Sequence, residues 1–516
     1  MQDRQLEYQQ LFSTALHEVE ANYVDDVPSD RLIYSSVQGM LQTLDPHSNF
    51  LDPRAYAQLR ERQEGKYYGL GIQIQVIDGD ITVSSIFEGS PAYKLGMRQG
   101  DVIARIEGED TKGWTSDQAV KKLRGPKGSP VHISLKRTGF EKLIDLTVVR
   151  DEINIPTIPA AYMVRPGVGY IKQQDFSETT DRDLERALRM LQKKGMQRLI
   201  LDLRGNPGGP LDQAIKVSNE FLPKGKLIVF TRGRVAGSDQ DYVATEDSEF
   251  TDFPLVVLVS RTSASASEIV AGALQDHDRA LIVGETTFGK ALVQSIYRIS
   301  QGAGLALTTA RYYTPSGRLI QRPYTGSFDE YFAYAGRDQD DQPEGAPKRG
   351  ELKLTDSGRK VFGGGGIDPD HHIEPLHPKS KLGRLVSARR LFGPYAQRYS
   401  EEGDTRITGT THGRRFVKRG FAVDAAMLDD FKSFLQEQKV RVDDKEVAED
   451  ADYMKALIKW EIDLALWGFQ EAQENLAERD PQIQAALQMF PEAEKLSMLS
   501  RKPTPPVGKK AEPLLR

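Results

Sequence analysis

Ser263, Ser265 and Ser267 fall between an apolar run, Leu255–Ser260, and a segment that reads as a helix from Ser267-Glu268 onward. A hydroxyl at a strand-to-helix turn is well placed to act as a nucleophile. Free backbone N–H groups and the positive end of the helix can stabilise an oxyanion there. The same serines also suit turn and capping roles, and Ser267 reads as the cap. A serine nucleophile needs a base. The eight histidines sit mostly in polar or loop segments, and His277, between Asp276 and Asp278, reads as a solvated helix end. Lys290 is the other candidate, closing a small-residue loop after the strand Ala280–Val283. A lysine becomes a base near neutral pH only when burial lowers its pKa by several units from ~10.4. A Ser–Lys dyad in a dry pocket uses that device; without such a pocket, Lys290 is an ordinary surface lysine.

A second cluster, Asp202-Leu203-Arg204-Gly205-Asn206-Pro207-Gly208-Gly209, directly follows a buried-strand pattern. Glycines at the carboxyl end of a strand allow close backbone approach and offer N–H groups to a ligand; read plainly, they make a tight turn. Gly284–Lys290 matches the first seven places of a phosphate-binding loop, but Ala291 stands where magnesium needs a Ser or Thr hydroxyl, so a nucleotide site is not expected. Asp368, Asp370, His371 and His372 contain metal-ligand types, but adjacent histidines on a turn do not converge, and no metal or cofactor is expected.

Those clusters must be positioned by a chain of 516 residues, 39% hydrophobic and 28% charged. That is the composition of a soluble globular protein with several cores. The longest apolar run, around Leu255–Val259, is far too short to span a bilayer. A net charge of −5 gives no reason to expect a nucleic-acid partner. The absence of cysteine excludes disulfides, thiolate catalysis and cysteine-based metal sites. Met1-Gln2-Asp3-Arg4 does not open a basic-then-apolar export signal.

Residues 1–66 read as helical, with Leu6, Phe12, Leu16 and Val19 at helix-like spacing and a second stretch at Leu32–Leu44. From 67 to 152 short β-rich runs alternate with Gly, Asp and Pro turns around one helix near Asp117–Leu123, which predicts a small, mostly β module. Over 153–384 strands alternate with helices. Arg198–Leu203, Leu227–Thr231, Leu255–Ser260 and Ala280–Val283 read as strands buried on both faces, hence an α/β layered core. Residues 325–365 read as polar loop, 385–500 as helical, and 501–516 as a disordered basic tail.

Ordered motifs along the chain resemble one family. SASASEIVAGALQD (263–276) and RALIVGETTFGKALVQ (279–294) resemble the active-site signature of the carboxyl-terminal processing, or tail-specific, serine peptidases. LDPHSNFL (44–51), YYGLGI (67–72), SPAYKLGMRQGDVI (90–103), LRGPKGSPV (123–131), LDLRGNPGG (201–209), LTTARYYTPSGRLIQ (307–321) and GGGGIDPD (363–370) follow in family order. The resemblance covers residues 1 to about 380. It implies a crotonase/ClpP-like α/β protease core carrying an inserted PDZ module, between helical N- and C-terminal regions.

The resemblance implies Ser265 as nucleophile, Lys290 as general base and Gln294 as the residue that orients it. Ala266 and Gly208 would supply oxyanion-hole N–H groups, and Asp276 would support the site. In the PDZ module, Tyr68, Gly69, Leu70, Gly71 and Ile72 would form the loop that receives a peptide carboxylate, with Leu70 and Ile72 lining an apolar pocket, and Arg124 would link the module to the core. The expected substrates are proteins or peptides with apolar C-termini, cleaved near the end, with an adaptor and a homo-oligomer among the expected partners. The family acts in the cell envelope, so a periplasmic location is expected, with an export signal removed ahead of Met1. The sequence departs from the family at Ala291, where Gly is usual after the lysine, and at Gly205, where Asn is usual. These departures keep a silent, tail-binding scaffold as the alternative.

Overall fold

The computed structural model describes residues 2–324, 328–333, 350–404 and 415–500. The expected tail 501–516 and part of the polar stretch 325–365 lie outside the described residues.

The N-terminal region contains α1 (Gln2–Asn22), α2 (Ser29–Leu41), β1 (Asn49–Leu51) and α3 (Pro53–Glu64). α3 starts on an Asp52 cap that accepts from the Arg54 and Ala55 N–H groups, has Pro53 in its first turn, and stops at left-handed Gly65. β1 corrects the all-helical expectation. It pairs antiparallel with residues 304–306, fastening this region to the core beside the 44–51 motif.

The β-rich module follows as β2 (Lys66–Gly69), β3 (Ile72–Ile77), β4 (Asp80–Ile86), α4 (Pro91–Lys94), β5 (Val102–Ile106), β6 (Glu109–Asp110), α5 (Ser116–Leu123), β7 (Pro130–Lys136), β8 (Ile144–Val149) and β9 (Asp151–Asn154). Its antiparallel sheet runs β3-β4-β5-β7-β8, with β6 on β5. Leu70, Ile81, Val83, Ile103, Leu123, Val131, Ile133 and Leu135 fill the core beneath. β2 and β9 pair with each other, Lys66 opposite Asn154 and Gly69 opposite Asp151, so the chain enters and leaves the module side by side.

The core adds β10 (Ala160–Arg165), β11 (Val168–Lys172), α6 (Thr180–Lys193), β12 (Arg198–Asp202), α7 (Leu211–Asn219), β13 (Leu227–Gly233), β14 (Gln240–Val243), β15 (Leu255–Val259), α8 (Ala266–Asp276), β16 (Leu281–Gly284), β17 (Leu292–Arg298), β18 (Gly304–Tyr313), α9 (Phe328–Ala333), β19 (Leu352–Leu354), β20 (Lys360–Phe362) and β21 (His371–His372). One sheet runs β10-β11-β12-β15-β16-β21 and is parallel from β11 onward. Side chains alternate across it. Leu199, Leu201, Leu255, Val257 and Ile282 pack under α6, α7 and α8, while Ile200, Val256, Leu258, Leu281 and Val283 face the other side. The continuous apolar strands are thus buried on both faces. Leu227–Thr231 is the exception: β13 belongs to a separate antiparallel sheet, β1-β18-β13-β14, with β17 on β18.

The C-terminal region comprises α10 (Lys381–Ala388), α11 (Phe392–Ala396), β22 (Tyr399–Glu401), β23 (Arg415–Val417), α12 (Ala425–Glu437), α13 (Asp444–Glu449), α14 (Ala451–Trp467), α15 (Phe469–Ala477), α16 (Pro481–Gln488) and α17 (Phe490–Ser500). Its first helices enclose their own core around Phe392, Tyr395, Phe431 and Phe434. Ala477, Ile483, Ala486, Phe490 and Leu496 of the last three elements and their boundaries cover the second face of the parallel sheet. The PDZ-like module leans on this region through the Arg98–Asp404 ion pair, with side chains 13% and 3% exposed.

Candidate active site

Strands β12, β15 and β16 run parallel in register, so Asp202, Val259 and Gly284 end on one edge of the sheet. Three loops leave that edge: 203–210, 260–265 and 285–291. Ligand sites on such sheets form outside the carboxyl ends of the strands.

Ser265 is the last residue before α8, with φ 55° and ψ −113°. A non-glycine residue held there stores roughly 1–3 kcal/mol of backbone strain. Opposing restraints fix the turn. The Ser265 N–H donates to Glu268 Oε2 at 2.8 Å, and Tyr312 Oη lies 3.1 Å from the Ser265 carbonyl. Ser265 therefore takes the N-cap place expected for Ser267. Ser267 lies buried within the first turn, its Oγ donating to the Asn206 carbonyl at 3.0 Å. Ser263 is buried and structural, its Oγ donating to the Leu203 carbonyl at 2.9 Å and accepting from the Ser260 N–H at 2.9 Å.

Glu268 joins the serine turn to the lysine loop. Its fully buried carboxylate also accepts from Thr287 Oγ1 at 2.5 Å, the Gly289 N–H at 2.7 Å and the Lys290 N–H at 2.9 Å. Burial pushes this carboxyl above its ordinary range, and hydrogen bonds from Thr287, Lys290, Gly289 and Ser265 oppose the shift. Because the Thr287 oxygen already accepts from the Ile367 N–H, its proton points to Glu268, so all four groups around Glu268 are donors and suit the ionised form. Tyr312 Oη also lies 2.6 Å from the Lys290 carbonyl, so its single proton is shared between the carbonyls of the two loops, the shorter contact being to Lys290.

Lys290 is half-buried, and among the described residues its ammonium pairs with no carboxylate. Nζ donates to Gln294 Oε1 at 2.9 Å, and Gln294 Nε2 donates to the His47 carbonyl. Burial lowers the Lys290 pKa; the negative charges of Glu268 and Asp45 oppose the shift and Arg62 adds to it. His47 is held by a 2.8 Å contact between Nε2 and Tyr331 Oη, and Asp45 accepts from the His47 N–H at 2.8 Å. Burial, with the nearby Lys290 charge, pushes His47 down to about 4, so the imidazole beside Lys290 is neutral at pH 7.

The Gly205–Gly209 turn closes the other side. At Gly208, φ is 89° and an added Cβ would stand 2.7 Å from the Ala266 nitrogen and 2.8 Å from Ser265 Cβ, so only glycine lets the turn press against the serine. The Gly208 N–H donates to Asn206 Oδ1 at 2.9 Å. The Ala266 N–H, first in α8, has no acceptor among the described residues. Neither family departure strains the chain. Gly205 has φ 73°, which glycine adopts freely, and Ala291 is absent from the positive-φ residues.

Ala266 and Gly208 thus flank Ser265, Gln294 holds Lys290, and Glu268 ties the two backbones, with no hydrogen bond between Ser265 Oγ and Lys290 Nζ; Asp276 stands apart from this group. It lies at the far end of α8, buried, paired with Arg318 and accepting from the Ser316 N–H at 2.9 Å. His277 is buried, not solvated, with Nδ1 2.9 Å from Asp356 and Nε2 2.6 Å from the Leu227 carbonyl. Asp368 and Asp370 turn to Thr286 and Arg359, while His371 pairs with Glu492. The site residues not anticipated are Glu268, Tyr312, Asn206 and His47. Each lies inside a quoted motif, but the motif order alone does not say what they hold.

In the β-rich module, Leu70 is buried in the core and Ile72 packs partly buried beside it. The Leu70 carbonyl accepts from the Ala92 N–H at 3.0 Å and the Gly71 carbonyl from the Phe87 N–H at 2.9 Å, which shapes the Gly69–Ile72 loop. Tyr68 is exposed. β3 is an edge strand of its sheet and lies beside α5. Arg124 pairs with Glu61 of α3 and stacks 4.9 Å from the Tyr67 ring centre, so it reaches the N-terminal region.

Residues 167–326 match peptidase family S41 and residues 58–136 match the PDZ domain. A carboxy-terminal-processing protease of Bartonella bacilliformis is 41% identical over 320 residues, 61% of this chain and 73% of that protein. The chain belongs to the carboxy-terminal processing proteases. A second relative of that description, from Synechocystis, is 40% identical over 56% of this chain and 68% of its own length. Among solved structures, a photosystem II D1 C-terminal processing protease is 28% identical, covering 71% of this chain and 93% of that one at a TM-score of 0.37. The protein is a serine-type carboxy-terminal processing peptidase, a hydrolase with a PDZ domain between its N-terminal helices and its α/β core. No described helix of this carboxy-terminal processing protease is long and apolar enough to cross a membrane.

Proposed function

We propose that this peptidase cleaves proteins near an apolar C-terminus with a Ser265–Lys290 dyad. The observation that carries the reading is the Glu268 carboxylate, which holds the backbone N–H groups of both residues on one buried anchor. Burial favours the neutral form of Lys290, and a neutral amine keeps a lone pair for the Ser265 proton while still donating to Gln294 Oε1.

Lys290 takes the hydroxyl proton as Ser265 Oγ bonds to the scissile carbonyl carbon. The oxyanion is received by the Ala266 N–H and by an N–H of the glycine turn, with Gly208 leaving Asn206 Oδ1 to do so. Lys290 then passes its proton to the leaving amine, the C–N bond breaks, and an acyl-enzyme remains. Water, deprotonated by the same lysine, hydrolyses the ester and restores the serine. No step draws on a metal or nucleotide. Asp276 acts at a distance, anchoring the far end of α8.

In the PDZ domain the free edge of β3 accepts the substrate tail as an added strand, and the loop Tyr68-Gly69-Leu70-Gly71-Ile72 receives its carboxylate on backbone N–H groups. The site of action is the cell envelope, and the working form is a homo-oligomer that takes substrates alone or through an adaptor.

The test is incubation of wild type, Ser265→Ala and Lys290→Ala with an unstructured protein ending in an apolar tail, beside the same protein with a charged tail, with products read by mass spectrometry. Cleavage by wild type alone, favouring the apolar tail, is the expected result. Cleavage retained by Ser265→Ala overturns the dyad, and equal cleavage of both tails overturns the tail recognition.

A further inference from the structure

Just beyond β12 lies a group of buried charges that the proposed chemistry does not use. Arg204 Nε and Nη2 donate to the Asp202 carboxylate at 3.0 and 2.6 Å, while Nη1 donates to Asp480 Oδ2 and Gln482 Oε1, both at 2.7 Å. Lys172 Nζ donates to Asp202 Oδ1 at 3.1 Å and also to the Arg204 carbonyl. Tyr170 Oη donates to Asp202 Oδ2 at 2.6 Å and accepts from Gln473 Nε2 at 3.0 Å. Two cations and two carboxylates therefore balance in a site where the Asp202, Lys172, Arg204 and Asp480 side chains are 1%, 13%, 16% and 8% exposed.

Asp480, Gln482 and Gln473 come from α15, α16 and the link between them, in the C-terminal region beyond the stretches that match S41 and PDZ. Asp480 divides its carboxylate. Oδ1 caps α16, accepting from the Gln482 and Ile483 N–H groups at 2.9 and 3.2 Å, and Oδ2 takes Arg204. From Arg204 the chain passes into the glycine turn through residues that are each pinned. The Gly205 N–H donates to Ser260 Oγ at 3.0 Å; Asn206 Nδ2 donates to the Gln173 carbonyl at 3.0 Å, and Asn206 Oδ1 accepts from the Gly208 N–H.

We propose that Asp480 is a positioning residue for peptide hydrolysis: by completing the charge balance around Arg204 it seats the Gly205–Gly209 turn against Ser265, so that α15–α17 form part of the catalytic core. The inference rests on the reading of this turn as an oxyanion donor. Removing the Asp480 charge leaves two cations facing one carboxylate in a site largely shielded from water. Arg204 then turns out or draws water in, and either shift moves the turn. Oxyanion donors misplaced by an ångström lower the chemical step and leave tail binding alone, because the PDZ domain carries the binding.

The experiment measures kcat and KM for the apolar-tailed protein, and the rate of Ser265 acylation by a fluorophosphonate, in wild type, Asp480→Asn, Asp480→Ala, Gln482→Ala and Glu494→Gln. Glu494 is the control. Its 2.6 Å pair with Arg198 fastens α17 at the opposite, exposed end of the same strand. The expected result is a kcat lower by about ten- to a hundred-fold in the Asp480 variants, KM within about twofold, acylation slowed in parallel, and Glu494→Gln at the wild-type rate. If Asp480→Ala fails to fold, Asp480→Asn decides, and Gln482→Ala, which keeps every charge, stays closer to the wild-type rate than Asp480→Asn. The proposal is overturned if Asp480→Asn folds and keeps wild-type kcat, if KM alone moves, or if Gln482→Ala or Glu494→Gln loses kcat equally. Labelling of wild type but not Ser265→Ala separates this outcome from failure of the dyad itself.

Discussion

Glu268 touches both proposed catalytic loops at once, and its replacement is the sharpest single-residue probe of how they are held. In Glu268→Gln one carboxylate oxygen becomes an amide that cannot accept, leaving at least one of the four buried donors unpaired. We expect a stability loss of about 1–3 kcal/mol in urea unfolding, with slower acylation of Ser265. Ser263→Ala should keep its acylation rate but lose about 1 kcal/mol or more, because two buried hydrogen bonds go with the hydroxyl. The pH profile belongs to Lys290. Its neutral form is the base and burial lowers its pKa, so kcat/KM should rise with pH and level off below the ordinary lysine value of 10.5. An acid limb midpoint at or above 10.5 excludes that role. Ser265 and Lys290 are singled out by the motif resemblance, because hydroxyl and amine chemistry alone leaves three serines and an ordinary surface lysine open. Glu268 is not, since a glutamate in a first helical turn reads as an ordinary cap partner until its distant donors are seen.

At the level of elements, the 45–48 turn acts as a strut under Lys290. His47 titrates near 4 in the fold against an ordinary 6.5. Between those values the unfolded chain binds the proton and the folded chain does not. The stability contributed by the neutral imidazole is therefore full above about 6.5 and lost as pH falls toward 4, by about 3 kcal/mol at most. Unfolding measured from pH 7 to 4 should show a smaller loss for His47→Gln than for wild type. The parallel strands were legible from apolar runs walled in on both faces. The run Leu227–Thr231 groups with them by pattern, but such a run records burial and neither the sheet nor the neighbour's direction, and it pairs antiparallel with β14 and β18 in the second sheet. β1 has three residues, too few for a period, and α4 has four. The docking of α15–α17 on the sheet is a tertiary choice that the helices' own patterns do not encode.

For the whole molecule, the PDZ domain is held between α3, through Arg124–Glu61, and the C-terminal region, through Arg98–Asp404. The second pair is nearly closed to water, so Arg98→Ala removes a shielded ion pair that joins the two modules. Because that contact lies between modules, the expected outcome is local release. Limited proteolysis should cut sooner near β2 and β9 while the core melts as in wild type. Faster melting of the core with no new cuts would show the contact to be an ordinary part of the core.

The side-by-side pairing of β2 with β9 has a consequence for how such a chain is assembled over evolution. The two backbones that lead into and out of the PDZ domain run antiparallel and hydrogen-bonded from Lys66–Asn154 to Gly69–Asp151, roughly 5 Å apart. A tight hairpin can bridge that gap, so the PDZ domain can be excised or exchanged at a single junction, with Glu61 and Asp404 as the scaffold residues that a replacement must satisfy. The PDZ domain can then vary while the bond-breaking apparatus stays fixed.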